Sequence, residues 1–272
     1  MKSLTWSRGL LYAGMTVFSA LTALPFLWML FSALKTQGEI FTSPFSPPSN
    51  PQWQNFALAR NAGVGRYVLN SLFVTTISVI LIVTVSAMAA YAMARLEFRG
   101  RLAFYLLLIT GYAIPIHTVL VPLYELLRNA NLINNYAGLI GPYIAFGVPF
   151  SVFLIYAHFL EFPRELEEAA RLDGASDLQI ATQIVMPLSL PALSSVAIFQ
   201  GTFIWNDFLL ALILINDDKL KTLPLGLLVF RGEYSTDWPL LMAGITVATL
   251  PLLGLYMVFR RQFVNSLTGF SK

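Results

Sequence analysis

Few side chains in this sequence are of a type that does chemistry, and their spacing excludes most of it. There are two histidines, His117 and His158, and no cysteine, which removes disulfides and thiolate metal sites. Neither histidine sits in an H-E-x-x-H pair, no G-x-S-x-G turn is present, and no two carboxylates share an apolar window. The chain therefore has no candidate catalytic pair and reads as a non-enzyme. Each histidine reads as a hydrogen-bond partner between helices. The phosphate loop G-x-x-x-x-G-K-[ST] is absent too, so the chain has no usual cradle for nucleotide phosphates.

Two groups of polar residues remain. Trp205, Asn206 and Asp207 interrupt an otherwise apolar run, and a carboxylate facing lipid there costs about 2.5 kcal/mol or more. The three residues either line a polar path for a hydroxyl-rich solute or lock helices together. If Asp207 binds a coupling ion, the chain is a self-sufficient secondary carrier.

The second group is the acidic island from Glu168 to Pro187, EAARLDGASDLQIATQIVMP. Its first half begins after Pro163 and stops at Gly174, the pattern of a short helix with Pro at its start and Gly at its end. Ser176 with Gln179 three residues on makes a capping box, so a second helix restarts at once and runs to Pro187. Glu167 and Arg171 are spaced to pair along the first helix. Leu166, Ala169, Ala170 and Leu172, then Leu178, Ala181, Ile184 and Val185, place small and apolar residues among the acids, as a partner surface would.

The elements that position these groups are set by composition. Of 272 residues, 57% are hydrophobic and only 11% charged, with mean hydropathy +0.68, whereas a soluble domain carries about 25% charged residues. The chain reads as one all-α integral-membrane domain over residues 1–272. Uncharged windows long enough for a helix of roughly 20 residues place six spans at about 9–34, 68–94, 102–124, 137–160, 192–215 and 238–259. The first is too long for a signal-peptide core.

Ten of the 17 Lys and Arg residues fall on the side of the termini, three of them in the short loop Arg95, Arg99, Arg101. Both termini are thus expected in the cytoplasm, with the island (about 163–187) in the cytoplasmic loop between spans four and five. Asp207 then lies roughly 22 Å up from Ala192 at 1.5 Å per residue. On the other side, Pro44, Pro47, Pro48 and Pro51 demand an extended loop, and Asn129, Asn131, Asn134 and Asn135 mark another. The net charge of +3 fits membrane orientation, and no nucleic-acid surface is evident.

These residues form a recognisable motif. Glu168-Ala169-Ala170, three residues, Gly174, nine residues, Ile184, one residue, Met186, Pro187 closely resembles the EAA loop, EAA-x3-G-x9-I-x-LP, of binding-protein-dependent (MetI-like) ABC importer permeases. Met186 replaces a leucine and conserves its size. Pro25-Phe26-Leu27-Trp28, Asn70-Ser71-Leu72, Ala89-Ala90-Tyr91-Ala92-Met93-Ala94-Arg95, Trp205-Asn206-Asp207-Phe208 and the tail Phe263 to Gly269 resemble the carbohydrate-uptake branch, in particular the smaller inner-membrane subunit of maltose- and glycerol-phosphate-type importers.

The resemblance implies a permease subunit of a sugar importer in a bacterial or archaeal cytoplasmic membrane. Its implied partners are a second permease in a heterodimer, an extracytoplasmic sugar-binding protein, and two ATPase subunits that carry ATP and Mg. It also implies that Glu168, Ala169, Ala170, Gly174, Ile184 and Pro187 couple to the ATPase, with Glu168 meeting a basic residue and Gly174 supplying the bend. No cofactor or metal is implied for this chain.

Overall fold

The computed structural model describes residues 2–232 and 234–269. Phe270, Ser271 and Lys272, the end of the tail, lie outside the described residues. Among the described residues there are helices and turns and no strand; a single isolated bridge pairs Arg231 with Thr236. The chain that the sequence reads as one domain forms two compact units, Met1–Gly65 with Gly226–Leu253, and Arg66–Leu225 with Gly254–Lys272.

The first unit contains α1 (Lys2–Ala33), α2 (Gln37–Thr42), α3 (Gln54–Asn61) and the first half of α14 (Trp238–Gly269). From Leu11 to Ala33, α1 is long and apolar enough to span a membrane, and its most apolar window has no buried residue. An all-round apolar helix left uncovered suits lipid. At its end the chain turns on Lys35, which is wholly buried. Its Nζ donates to the carbonyls of Ser43 (2.7 Å) and Pro44 (3.1 Å), and Trp28 Nε1 also donates to Pro44 O (3.0 Å). These bonds pin the proline-rich loop expected to be extended over Thr42–Pro51; Thr42 instead ends α2, and the loop runs to α3 through turns and bends. Proline leaves that loop few backbone donors of its own, so side chains supply them. Glu39 Oε1 accepts from Ser49 N at 2.7 Å, and that backbone bond lowers the Glu39 pKa.

In the second unit, α4 (Val64–Arg95) and α7 (Tyr136–Glu161) are both long enough to span. Ala87, Ala90 and Ala94 of α4 are buried with Val152, Ile155 and Phe159 of α7. Small residues of this kind let two helices approach closely. Three of the four asparagines of the expected outer loop each do a specific job, and Asn129 ends α6 (Leu120–Asn129). Asn131 (φ 58°) closes α6 in a Schellman turn, with Leu132 N on Leu127 O and Asn131 N on Arg128 O. Asn134 accepts from the backbone of Asn216 and Asp217, and Asn135 caps α7 by accepting from Ala137 N.

Two of the expected windows are not single straight helices. In place of a continuous 102–124 there is α5 (Arg101–Ala113), a 3-10 turn (Ile116–Val119) and α6, with α5 and the following pair bent by 88°. Ile114 and Pro115 are extended (ψ 116° and 130°), because a residue before proline is pushed out of the helical region. In place of a continuous 192–215, α11 (Leu190–Trp205) stops before Asn206, Asp207 and Phe208, and α12 (Leu209–Leu214) and the short α13 (Leu223–Gly226) follow.

Candidate functional site

The acidic island folds as helix, bend, helix. Pro163 stands just before α8 (Arg164–Leu172), whose first turn carries Glu165 and Glu167 and whose last turn carries Arg171, all favourable to the helix dipole. The bend is a Schellman turn with Gly174 at φ 87°: Ala175 N donates to Ala170 O (3.0 Å) and Gly174 N to Arg171 O (3.1 Å). This left-handed backbone is what glycine permits at lowest cost. The expected capping box then starts α9 (Asp177–Gln179), with Gln179 N on Ser176 Oγ and Ser176 N on Gln179 Oε1.

The helix continues through a π-helical stretch, Ile180–Val185, in which Met186 N reaches back five residues to Ala181 O. It finishes as α10 (Met186–Leu188), so Pro187 lies within it and the break falls at Ser189. There the chain turns by 77° into α11. Ser189 is buried, and its hydroxyl lies 3.2 Å from His158 Nε2, at the end of α7. His158 thus makes the helix-to-helix bond expected of it, whereas His117 is exposed in the 3-10 turn.

The expected pairing of Glu167 with Arg171 does not form. Arg171 instead crosses the bend to Asp177 (2.8 Å), and Glu167, only 3% exposed, meets Arg95 Nε at 2.6 Å. A charged pair that a tertiary contact can bury outcompetes an exposed one along the helix, which is worth only a few tenths of a kcal/mol. The surface is correspondingly divided. Glu168, Ala169, Gly174 and Pro187 are exposed, as are Leu166, Leu178 and Leu172, the last 90% exposed. Ala170 and Ile184 are half-buried. Ala181 and Val185, expected on the partner surface, are instead core residues packed with Ile180 against Tyr91 and Phe159.

The other polar group lies at the helix break. Trp205 is buried, and Asn206 is exposed with its amide on Thr202 O. Asp207 Oδ2 accepts from the Tyr143 hydroxyl at 2.8 Å. None of the three lines the neighbouring cavity of about 170 Å³, which is walled by Tyr112, Tyr143, Phe150, Phe199, Gln200 and Phe203 among others. Asp207 therefore reaches the cavity only through Tyr143. Tyr112 and Phe150 stack with centroids 5.3 Å apart, and Phe150 and Phe199 lie 4.8 Å apart. Gln200, buried in α11, donates to Gly147 O (3.1 Å) and Ser151 Oγ (2.9 Å) of α7. Gly147 permits this approach, since a Cβ there would come within 3.2 Å of Gln200 Oε1 and 2.6 Å of Ile82 Cδ1. Sequence reasoning overlooked this wall; the one available signal was Gln200, a lone amide in an apolar run.

Comparison with known proteins gives a consistent result. The family model described as "Binding-protein-dependent transport system inner membrane component" matches residues 82–267. A probable ABC transporter permease of Bacillus subtilis, YurM, is 39% identical over 247 residues, covering 91% of this chain and 82% of that protein. The diacetylchitobiose uptake system permease NgcG of Streptomyces coelicolor is 37% identical, covering 94% and 86%. The trehalose/maltose transport system permease MalG of Thermococcus litoralis is 28% identical, covering 99% and 98%. Among solved structures, a chain of a bacterial ABC transporter involved in the import of alginate superposes with a TM-score of 0.81 at 20% identity, over 93% of this chain and 95% of that one. With the family model spanning well over half of its length and relatives above 30% identity covering nine-tenths of it, this chain belongs to the inner-membrane components of binding-protein-dependent transport systems, the ABC importer permeases.

Proposed function

We propose that the chain is one of two permease subunits of an ATP-driven sugar importer and that its helix-bend-helix docks into an ATPase subunit. The observation that carries this is the divided character of the island. Ile180, Ala181 and Val185 lock it into the core, while its exposed surface carries Glu168 and the leucines Leu166, Leu172 and Leu178. The chain itself lacks a phosphate loop, so ATP and Mg belong on the partner ATPases. Glu168, Ala169, Ala170, Gly174, Ile184 and Pro187 form the coupling element, and Ser189 joins it directly to α11, so a push on the island is a push on a helix beside the cavity.

In this reading six spans, built on α1, α4, α5 with α6, α7, α11 with α12, and α14, leave both termini and the island in the cytoplasm. A second permease completes the path, and an extracytoplasmic binding protein delivers the solute. Sugar as the solute is supported by the relatives' substrates, which include diacetylchitobiose and trehalose/maltose. The clustered rings of Tyr112, Phe150 and Phe199 beside Gln200 are apt for it, placing aromatic surface next to an amide. ATP drives transport by favouring one packing of the helices over the other. The test is Glu168→Lys: the variant inserts in the membrane, fails to co-purify with the ATPases and abolishes uptake. Normal uptake by that variant refutes the proposal. The ion-coupled carrier reading is not favoured, because Asp207 is engaged by Tyr143.

A further inference from the structure

Two adjacent glutamates in α8 differ in burial: Glu167 is buried and Glu168, about 100° further round the helix, is exposed. Something must fix which of them points out, because hydrophobicity cannot choose between identical side chains. The guanidinium of Arg95, the last residue of α4, makes that choice. Its Nε donates to Glu167 Oε1 at 2.6 Å and its Nη2 to the carbonyl of Phe162, at the corner between α7 and α8, at 3.2 Å. Both side chains are almost wholly buried, at 6% and 3% exposure.

Among the described residues, the three ion pairs are Arg95–Glu167, Arg171–Asp177 and Lys221–Asp218. Of these, only the first ties the island to a helix outside it. The remaining anchors of the island are chiefly apolar, with Ile180, Ala181 and Val185 in the cluster around Tyr91 and Phe159. Apolar contact is non-directional and lets a helix roll, whereas a charged hydrogen bond has fixed geometry. At 3.6 residues per turn, each step along α8 is about 100° of rotation. Holding Glu167 against Arg95 therefore sets the direction of every neighbour.

We infer that Arg95 and Glu167 are a positioning pair that sets the rotation of α8, so that Glu168 and Leu172 face the partner and Ala170 faces the core. Both side chains are buried beneath the island's exposed surface. Arg95 also connects the island to α4 by a bond independent of the Ser189 joint to α11, so a docked partner grips two long helices at once. This inference rests on the docking reading above for its consequence in transport, but the rotation itself can be measured without any partner.

The chain has no native cysteine, which makes single-cysteine labelling clean. Glu168→Cys, Ala170→Cys and Leu172→Cys are each placed in the full chain, and their rates of modification by a hydrophilic maleimide are compared in membranes. With Arg95 and Glu167 intact, positions 168 and 172 react fast and 170 slowly. In Glu167→Gln, and separately in Arg95→Gln, position 170 rises to the rate of 168, and uptake by the assembled importer falls. The exchanged pair Arg95→Glu with Glu167→Arg restores the contrast between 168 and 170, which a loss of packing alone would not allow. If Arg95→Gln fails to accumulate, Glu167→Gln decides, since it keeps the side-chain shape. An unchanged labelling contrast in Glu167→Gln overturns the inference. Lost contrast with normal uptake upholds the rotation and refutes the docking reading instead.

Discussion

Replacing Gly174 separates the backbone's part in the bend from any contact a partner makes there. A Cβ built on Gly174 has no heavy atom within 4 Å, so no substitution clashes inside the chain. The intramolecular cost of Gly174→Ala is then the cost of holding an L-residue at φ 87°, about 1–2 kcal/mol. That is a factor of roughly 5–30 in the population of the bent form. The chain supplies its own control in Asn131, which closes α6 in the same Schellman turn at φ 58°. Gly174→Asn should therefore bend nearly as well as glycine, while Gly174→Ala and Gly174→Val fall successively further. The assay is co-purification of the permease with its ATPases, with uptake in proteoliposomes in parallel. The expected order is Gly, Asn, Ala, Val. Equal loss in Asn and Ala would mean that bulk at this point obstructs the partner and the backbone argument is wrong. Full activity of Gly174→Val would mean that the bend is not needed.

Three further outcomes follow from the geometry. Lys35→Met strands the carbonyls of Ser43 and Pro44 without their donor and should destabilise the proline-rich loop by about 1–3 kcal/mol, read as faster labelling of a cysteine placed at Phe45 and a lower unfolding temperature in detergent. Glu39 has a pKa lowered in the folded state, chiefly by the Ser49 backbone bond. Its contribution is thus fully present above the unfolded value and is lost as pH falls through the folded one; a spin label at Phe45 should become more mobile only in that acid range, and the change should vanish in Glu39→Gln. Asp207→Asn keeps an acceptor for the Tyr143 hydroxyl, so ATP-driven uptake should survive with modest loss. Abolished uptake would favour ion coupling instead.

The punctuation of the island was legible because its signals are local. A glycine at a helix end and a Ser-x-x-Gln box act through bonds three to five residues long, and both form as read. The asparagine-rich loop was legible as a loop for the same reason, although which asparagine closes, clamps or caps was not. Glu167 failed because its partner lies 72 residues away, beyond what helical spacing can reveal. Ala181 and Val185 failed in a related way: small apolar residues among acids look the same whether they meet a partner or their own core. The broken helices were missed because hydropathy windows measure composition and ignore direction. Pro115 and the pair Asn206 and Asp207 were visible all along as places where a helix cannot run on smoothly.

The π-helical stretch gives the motif's spacing a physical meaning. Its backbone bond spans five residues where an ordinary turn spans four, so the segment holds one residue more than a regular helix needs to cover the same turn. Removing any one residue between Ile180 and Val185 would let the helix relax to its regular form without leaving a gap. Such a deletion would keep the island in register with Pro187 and α11, whereas a length change ahead of the π turn would swing everything before it by about 100°. The nine-residue interval between Gly174 and Ile184 thus acts as a ruler. It tolerates changes of letter and the loss of the one surplus residue in the π turn, whereas a length change ahead of that turn would aim an intact island in the wrong direction.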